Sequence, residues 1–164
     1  MTRYTRQTAV LGSAAQEQLA GASVLVIGAG GLAAPVTQYL VGAGVGHIRI
    51  VDADAVSLSN LHRQTVFRAM DIGLPKVHMI AKAMTALNPD TTIEPVQQRV
   101  DPANIAALCA GMTLTLDCAD SFAVSYMASD HCLEIGKPLI SASVIGRDGY
   151  VGGCSGGKAG LRAV

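Results

Sequence analysis

The apolar run Val24-Leu25-Val26-Ile27 leads straight into Gly28-Ala29-Gly30-Gly31-Leu32-Ala33, and a second strand-like run, His47 to Val51, ends at Asp52. This βαβ pattern restricts the fold more than any other stretch of the chain. A short apolar run without polar alternation suits a strand covered on both faces. Gly28 can make the tight turn, Gly30 lets the backbone approach a phosphate, and Ala33 takes the small position where helix packs on strand. The helix that follows presents unpaired N–H groups and the positive end of its dipole to an anion. Alone, such a turn indicates NAD or FAD, but the rest of the chain does not read like a dehydrogenase.

At 164 residues, half of them apolar, the chain is expected to form one domain over 1–164, opened by a short helical segment over 1–20. Twelve basic and twelve acidic side chains cancel, so no global field recruits nucleic acid or an anionic membrane. No formally charged residue occurs from Gln18 to Gly46. Pro35 and the repeated glycines nevertheless break that stretch into strand, turn and helix signals, against a membrane span. The N-terminus, Met1-Thr2-Arg3-Tyr4-Thr5-Arg6, lacks the apolar core of a signal peptide, and a cytoplasmic location is the default.

Strand signals at 23–27, 47–51, 92–97, 113–117 and 138–144 alternate with helix signals at 32–43, 75–87, 102–109 and 121–135. Pro75 opens one helix, and Asn88-Pro89 stops it. Tyr150-Val151 can begin a further strand. The pattern predicts an α/β fold: a doubly wound, mostly parallel sheet with helices on both faces. Ligands of such sheets bind beyond the carboxyl ends of the strands, where strand order reverses. Gly28, Asp52 and Asp120 each follow a strand and are expected to meet there. The polar stretch from Ala55 to Asp71 is too long for an ordinary connection, which marks it as functional.

Asp52 lies 24 residues after Gly28, where an acidic side chain accepts hydrogen bonds from ribose hydroxyls, whether of NAD or of ATP. Asp54 shares the turn as partner or spectator. Lys76 sits in the first turn of a helix, where the dipole disfavours a cation. A phosphate would offset that penalty; an exposed surface lysine is the plainer account. Arg63 offers a guanidinium fork, and Asn60 and Gln64 offer amide donors, a set suited to phosphate chelation. Asp120 precedes a helix and either caps it or holds magnesium against phosphates.

His47, His62, His78 and His131 show no shared metal-ligand spacing and are read as structural or surface residues. Cys109, Cys118, Cys132 and Cys154 form no CxxC pair. The first three are expected to be buried structural thiols. Cys154 lies in a glycine-rich, flexible stretch where a thiol could be exposed, but no base is evident to activate it.

Six ordered motifs carry a family resemblance: Arg3-Tyr4-Thr5-Arg6-Gln7, Gly28-Ala29-Gly30-Gly31-Leu32, Val51-Asp52-Ala53-Asp54 with Ser59-Asn60-Leu61-His62-Arg63-Gln64, Gly73-Leu74-Pro75-Lys76, Leu87-Asn88-Pro89 and Asp117-Cys118-Ala119-Asp120. Together they resemble the MoeB/ThiF/HesA group, bacterial relatives of ubiquitin-activating enzymes with a Rossmann-like fold. The resemblance implies an adenylyltransferase. Magnesium-ATP would be attacked at its α-phosphate by the C-terminal carboxylate of a ubiquitin-like sulfur carrier ending in Gly-Gly, as in thiamine or molybdopterin biosynthesis. It further implies that Asp52 holds the ribose, that Asn60, Arg63 and Lys76 contact the phosphates, and that Asp120 binds Mg2+. Arg6 would reach the nucleotide of the neighbouring subunit in a homodimer.

The group commonly continues through further strands and two CxxC pairs that bind structural Zn2+. This sequence stops at Val164 without them, so an N-terminal fragment is expected, with zinc only where a downstream region supplies it. Two other classes stay open: an NAD-binding oxidoreductase, favoured by the βαβ unit alone, and a non-catalytic nucleotide-binding module of the same fold.

Overall fold

The computed structural model describes residues 2–155 and 160–163. Two short helices, α1 (Thr5–Leu11) and α2 (Ser13–Gly21), precede β1 (Ser23–Ile27), α3 (Ala33–Ala43) and β2 (His47–Val51). After the long polar connection come α4 (Lys76–Leu87), β3 (Thr92–Val96), α5 (Ile105–Cys109), β4 (Leu114–Asp117) and α6 (Phe122–Glu134). The hairpin β5 (Leu139–Ile145) and β6 (Asp148–Cys154) follows.

The strands form one six-stranded sheet in the order β3-β2-β1-β4-β5-β6, parallel except for β6. The chain winds outward from β1 to β3 and then returns to place β4 on the other side of β1. Strand order therefore reverses between β1 and β4, which fixes where a ligand site belongs.

Alternation along β1 divides the core. Val24 and Val26 point into a cluster with Val41 of α3 and Val77, Ile80 and Met84 of α4. Leu25 and Ile27 point into the opposite cluster, with Leu108 and Cys109 of α5 and Ala128 and Cys132 of α6. Helices thus cover both faces, as the sequence predicts, because a strand with no polar alternation must bury both sides.

Three local expectations change. The helix expected from Pro102 starts only at Ile105, because Asp101 Oδ1 accepts the N–H groups of Ala103 and Asn104 and holds a turn first. Cys154 closes β6 opposite Leu139, so the glycine-rich stretch up to that residue is strand rather than flexible loop. Gly156 and Gly157 lie outside the described residues. Cys109 and Cys132 are buried, but Cys118 is only partly so.

The N-terminal helices dock through the residues of the first motif. Arg3 Nη1 donates to Leu87 O at 3.0 Å, and Gln7 Nε2 donates to Ala43 O at 2.8 Å. Asn88, fully buried, donates from Nδ2 to Tyr4 Oη at 2.8 Å and to Val41 O at 2.9 Å. Arg3-Tyr4-Thr5-Arg6-Gln7 and Leu87-Asn88-Pro89 are therefore two halves of one contact. Arg6 is exposed and makes no hydrogen bond or ion pair among the described residues.

No described helix is long and apolar enough to cross a membrane. The uncharged stretch from Gln18 to Gly46 is divided among α2, β1 and α3.

Candidate active site

A cavity of about 1190 Å³ opens at the carboxyl ends of β1 and β4, at the point where strand order reverses. Its floor is the turn after β1. Gly28 adopts φ 95°, and a Cβ there would lie 2.8 Å from Cys118 O at the end of β4. Only glycine lets β1 and β4 close at this point.

Asp52 fixes that turn. Its Oδ2 accepts Ala29 N–H at 2.7 Å, and its Oδ1 accepts Asp54 N–H at 2.7 Å. The carboxylate expected to meet a ribose also shapes the glycine loop, with lone pairs left over on each oxygen.

Lys76 is buried, and its Nζ donates to Asp54 Oδ2 at 3.0 Å. An antiparallel bridge between Ala55 and Pro75 and a backbone bond from Lys76 N–H to Asp54 O, at 3.0 Å, hold the two residues side by side. Asp54 thus supplies the anion that the sequence leaves to a phosphate. Its own side chain is 60% exposed, so the pair faces open solvent on the acid side. Lys76 is not the exposed surface lysine of the plainer account.

The long connection folds back over the glycine turn as two 3₁₀ turns, Leu58–Asn60 and Ala69–Asp71. Asn60 Oδ1 accepts Ser57 N–H at 3.2 Å, leaving its Nδ2 without a partner among the described residues. Arg63 donates from Nη1 to Ser59 O at 3.1 Å, and its stem lies over Gly31, 3.6 Å from where a Cβ would stand. Gln64 is buried beneath Gly30.

Asp120 stands exposed at the rim ahead of α6. Ser121 occupies the cap position with no side-chain cap bond, and Asp120 makes no hydrogen bond among the described residues, so the capping account fails. No group of three or more His, Cys, Asp or Glu could hold a metal among the described residues. Asp120 is instead a single free carboxylate beside the cavity. That suits magnesium, which takes one or two carboxylates plus phosphate oxygens, and does not suit a closed zinc site.

Gly28, Gly30, Gly31, Asp52 and Asp54 line this cavity together with Asn60, Arg63, Gln64, Lys76 and Asp120. Arg6 does not line it.

Residues that the sequence reading gave no role in the site also shape the cavity or its supports. Asp117, at the end of β4, is buried and accepts Ser141 Oγ–H from β5 at 2.7 Å and Ala119 N–H at 3.2 Å. This pins the segment carrying Asp120. Arg99, after β3, lines the far wall, while Phe122, Tyr126 and Tyr150 make an apolar extension. These positions depend on pairings across strands, which spacing along the chain does not reveal.

Burial, and secondarily the Asp117 carboxylate, push the Cys118 thiol up from 9.0 to about 12. It therefore stays protonated where an unfolded thiol would ionise. Between pH 9 and 12 the unfolded state has lost this proton and the folded state keeps it, so stability falls as pH rises, by about 1.4 kcal/mol per unit. Urea denaturation of wild type against Cys118→Ala across pH 8 to 11 checks this. The expected result is a steeper decline in wild type, and parallel curves would contradict it. Cys109 is also pushed up, first by its hydrogen bond to Cys132 and then by burial, in keeping with a structural thiol.

Fold and site together define a doubly wound α/β domain whose glycine turn, basic side chains and carboxylates surround one cavity at the switch point. The chain belongs to the ThiF family, whose model matches residues 4–160. It is 43% identical over 153 residues to the molybdopterin-synthase adenylyltransferase of Salmonella typhimurium, covering 92% of this chain and 61% of that protein. It is 40% identical to the sulfur carrier protein adenylyltransferase of Thermus thermophilus, covering 92% and 56%. The chain thus spans about three-fifths of the length of these relatives.

Among solved structures, Escherichia coli MccB with MccA-N7isoASN superposes with a TM-score of 0.89 at 23% identity, covering 96% of this chain and 49% of that one. That likeness is one of fold. The E. coli tRNA N6-threonylcarbamoyladenosine dehydratase TcdA, solved in complex with ATP, superposes with a TM-score of 0.81 at 26% identity, covering 88% and 61%.

Proposed function

We propose that this chain is the ATP-binding adenylation domain, residues 1–164, of an enzyme that adenylylates the C-terminal glycine of a ubiquitin-like sulfur carrier ending in Gly-Gly. The observation that carries it is the junction of Arg63 and Lys76 with Asp52 and Asp120 around the Gly28–Gly31 turn. This is a set for positioning a triphosphate and neutralising its charge. Relatives named adenylyltransferases, two of them for molybdopterin synthase and for a sulfur carrier, support the same reading, as does the TcdA complex with ATP.

In the reaction, a carboxylate oxygen of the carrier attacks the α-phosphorus of ATP. The bond from that phosphorus to the β-bridging oxygen breaks, and pyrophosphate departs with the electron pair, leaving an acyl-adenylate. No protein nucleophile is required; the work is alignment and stabilisation of spreading negative charge. Asp52 accepts from the ribose hydroxyls while keeping the glycine turn in shape. Asn60 Nδ2, the Arg63 guanidinium and Lys76 Nζ donate to phosphate oxygens, and Asp54 keeps Lys76 in place. Asp120 would hold a magnesium ion, which when bound would supply charge neutralisation at the phosphates. A volume of about 1190 Å³ exceeds the 300 to 1,000 Å³ usual for one small ligand, leaving room for a peptide tail along Phe122 and Tyr150.

Arg6 acts on the cavity of a second copy in a homodimer. Its neighbours Arg3, Tyr4 and Gln7 anchor the N-terminal helices, while the exposed Arg6 side chain has no hydrogen-bond or ion-pair partner among the described residues. A cytoplasmic setting goes with this reading and with four free cysteines.

The test is exchange of labelled pyrophosphate into ATP by the intact protein, with and without carriers ending in Gly-Gly. Carrier-dependent exchange is expected. ATP binding without exchange for any carrier would favour a non-catalytic module, and a nicotinamide fluorescence change on titration would favour the oxidoreductase.

A further inference from the structure

Cys109, the last residue of α5, and Cys132, near the end of α6, are 3% and 2% exposed and take no part in the site described above. Singly, each is a structural thiol. As a pair they are more than that, because they meet where α5 packs on α6, in the cluster that also holds Leu25, Leu108, Ala128 and Leu139. The Cys109 thiol donates to the Cys132 sulfur. Thr115 Oγ1, from β4, lies 4.0 Å from Cys109 Sγ and also donates to Cys132. Two donors therefore converge on one sulfur inside the core.

The bond between the thiols raises Cys109 and lowers Cys132, against burial, which favours the protonated form of each. One sulfur thus gains thiolate character while its neighbour keeps its proton, the division of labour between an attacking and a resolving thiol. A disulfide sets its sulfurs at about 2.05 Å, so thiols in hydrogen-bond contact are a small movement away from it. That movement reaches the cavity. α5 follows Val100, Asp101 and Pro102, and α6 begins with Phe122 to Met127, all of which line it.

We infer that Cys109 and Cys132 form an oxidation site for hydrogen peroxide, closing to a disulfide that draws α5 against α6 and slows adenylylation. In the first step the Cys132 sulfur attacks one peroxide oxygen and the O–O bond breaks. The departing hydroxide takes up the thiol proton as water, leaving a sulfenic acid on Cys132. The Cys109 sulfur then attacks the Cys132 sulfur, the S–O bond breaks, and the oxygen leaves as water with the Cys109 proton. The two thiols lose two electrons and the peroxide gains them. A dithiol reductant reverses the bond by exchange. Local opening of the five-residue α5 admits a small oxidant and excludes a bulky disulfide such as oxidised glutathione. The effect on rate rests on the adenylylation reading; the disulfide itself does not.

The experiment treats intact wild type and Cys132→Ala with hydrogen peroxide, unfolds them in an alkylating agent and maps the peptides by mass spectrometry. Pyrophosphate exchange with a Gly-Gly carrier, binding of a non-hydrolysable ATP analogue and thermal denaturation are measured on the same samples. In wild type the Cys109 and Cys132 peptides are expected to be joined. Closure of the loop between them should raise the midpoint by about 5 to 10 °C. Exchange should slow at least about 10-fold, since a shift of about 1 Å in a cavity wall misaligns reactants, and dithiothreitol should restore it. Cys132→Ala should keep its exchange rate in peroxide. Alkylation of both thiols in treated wild type overturns the proposal, as does a joined pair with exchange within about twofold of the reduced protein. Peroxide inhibition that persists in Cys132→Ala overturns it too, and should that variant fail to fold, the wild-type results decide. Reduced wild type that shows no exchange defeats the adenylylation reading instead; peptide mapping, midpoint and analogue binding then still decide the dithiol.

Discussion

Lys76→Met is expected to slow pyrophosphate exchange by about 100- to 1,000-fold, the usual effect of removing one preorganised donor from a developing oxyanion, while leaving the protein folded. The magnitude follows from placement. The Lys76 side chain is only 8% exposed, its ammonium is held 3.0 Å from Asp54, and the residue lines the cavity beside the glycine turn. The charge is thus fixed before substrate arrives and needs no reorganisation as charge moves onto the departing pyrophosphate. Methionine keeps the buried stem, so packing is retained. The Asp54 partner remains largely in water and tolerates the loss, which limits the stability change to about 1 kcal/mol. Exchange assays and urea denaturation on the same preparations check both halves. Undiminished exchange would mean that the cation at the head of α4 serves the fold alone.

Gly28→Ala is expected to be strongly destabilising. The residue sits at φ 95°, a region costing a side chain about 1 to 3 kcal/mol, and the added Cβ would stand 2.8 Å from Cys118 O. That neighbour is backbone at the end of a central strand and cannot rotate aside. Overpacking of this kind costs about another 1 to 3 kcal/mol, for a total of about 2 to 6. In a chain of this size the melting temperature should fall by roughly 6 to 18 °C. Separation of β1 from β4 also opens the cavity floor, so binding of an ATP analogue should weaken well below the new melting temperature. A variant as stable as wild type would show that the two strand ends do not close as described.

How much of this was legible beforehand differs from one residue to the next. The bounds of β1 and β2 follow from their apolar runs, and the end of α4 follows from Asn88-Pro89. Local signals suffice there, because turn chemistry and periodicity act over a few residues. The site was legible as a set of residue types after strand ends, and the cavity gathers that set except for Arg6. It was not legible as pairings. That Lys76 faces Asp54, that Asp117 is held by Ser141, and that Cys154 sits in a strand all depend on elements far apart in the chain.

The sequence by itself determined the alternation of strands and helices, the glycine turn between β1 and α3, and the chemical character of the residues around it. Tertiary structure alone decided which of those groups arrive already partnered. Asp52 closes on Ala29, Lys76 closes on Asp54, and Gln64 is left buried with an oxygen that meets no donor among the described residues. The reason is physical: secondary structure answers to neighbours a few residues away, whereas desolvation and hydrogen-bond pairing of a side chain are set only when distant segments pack around it.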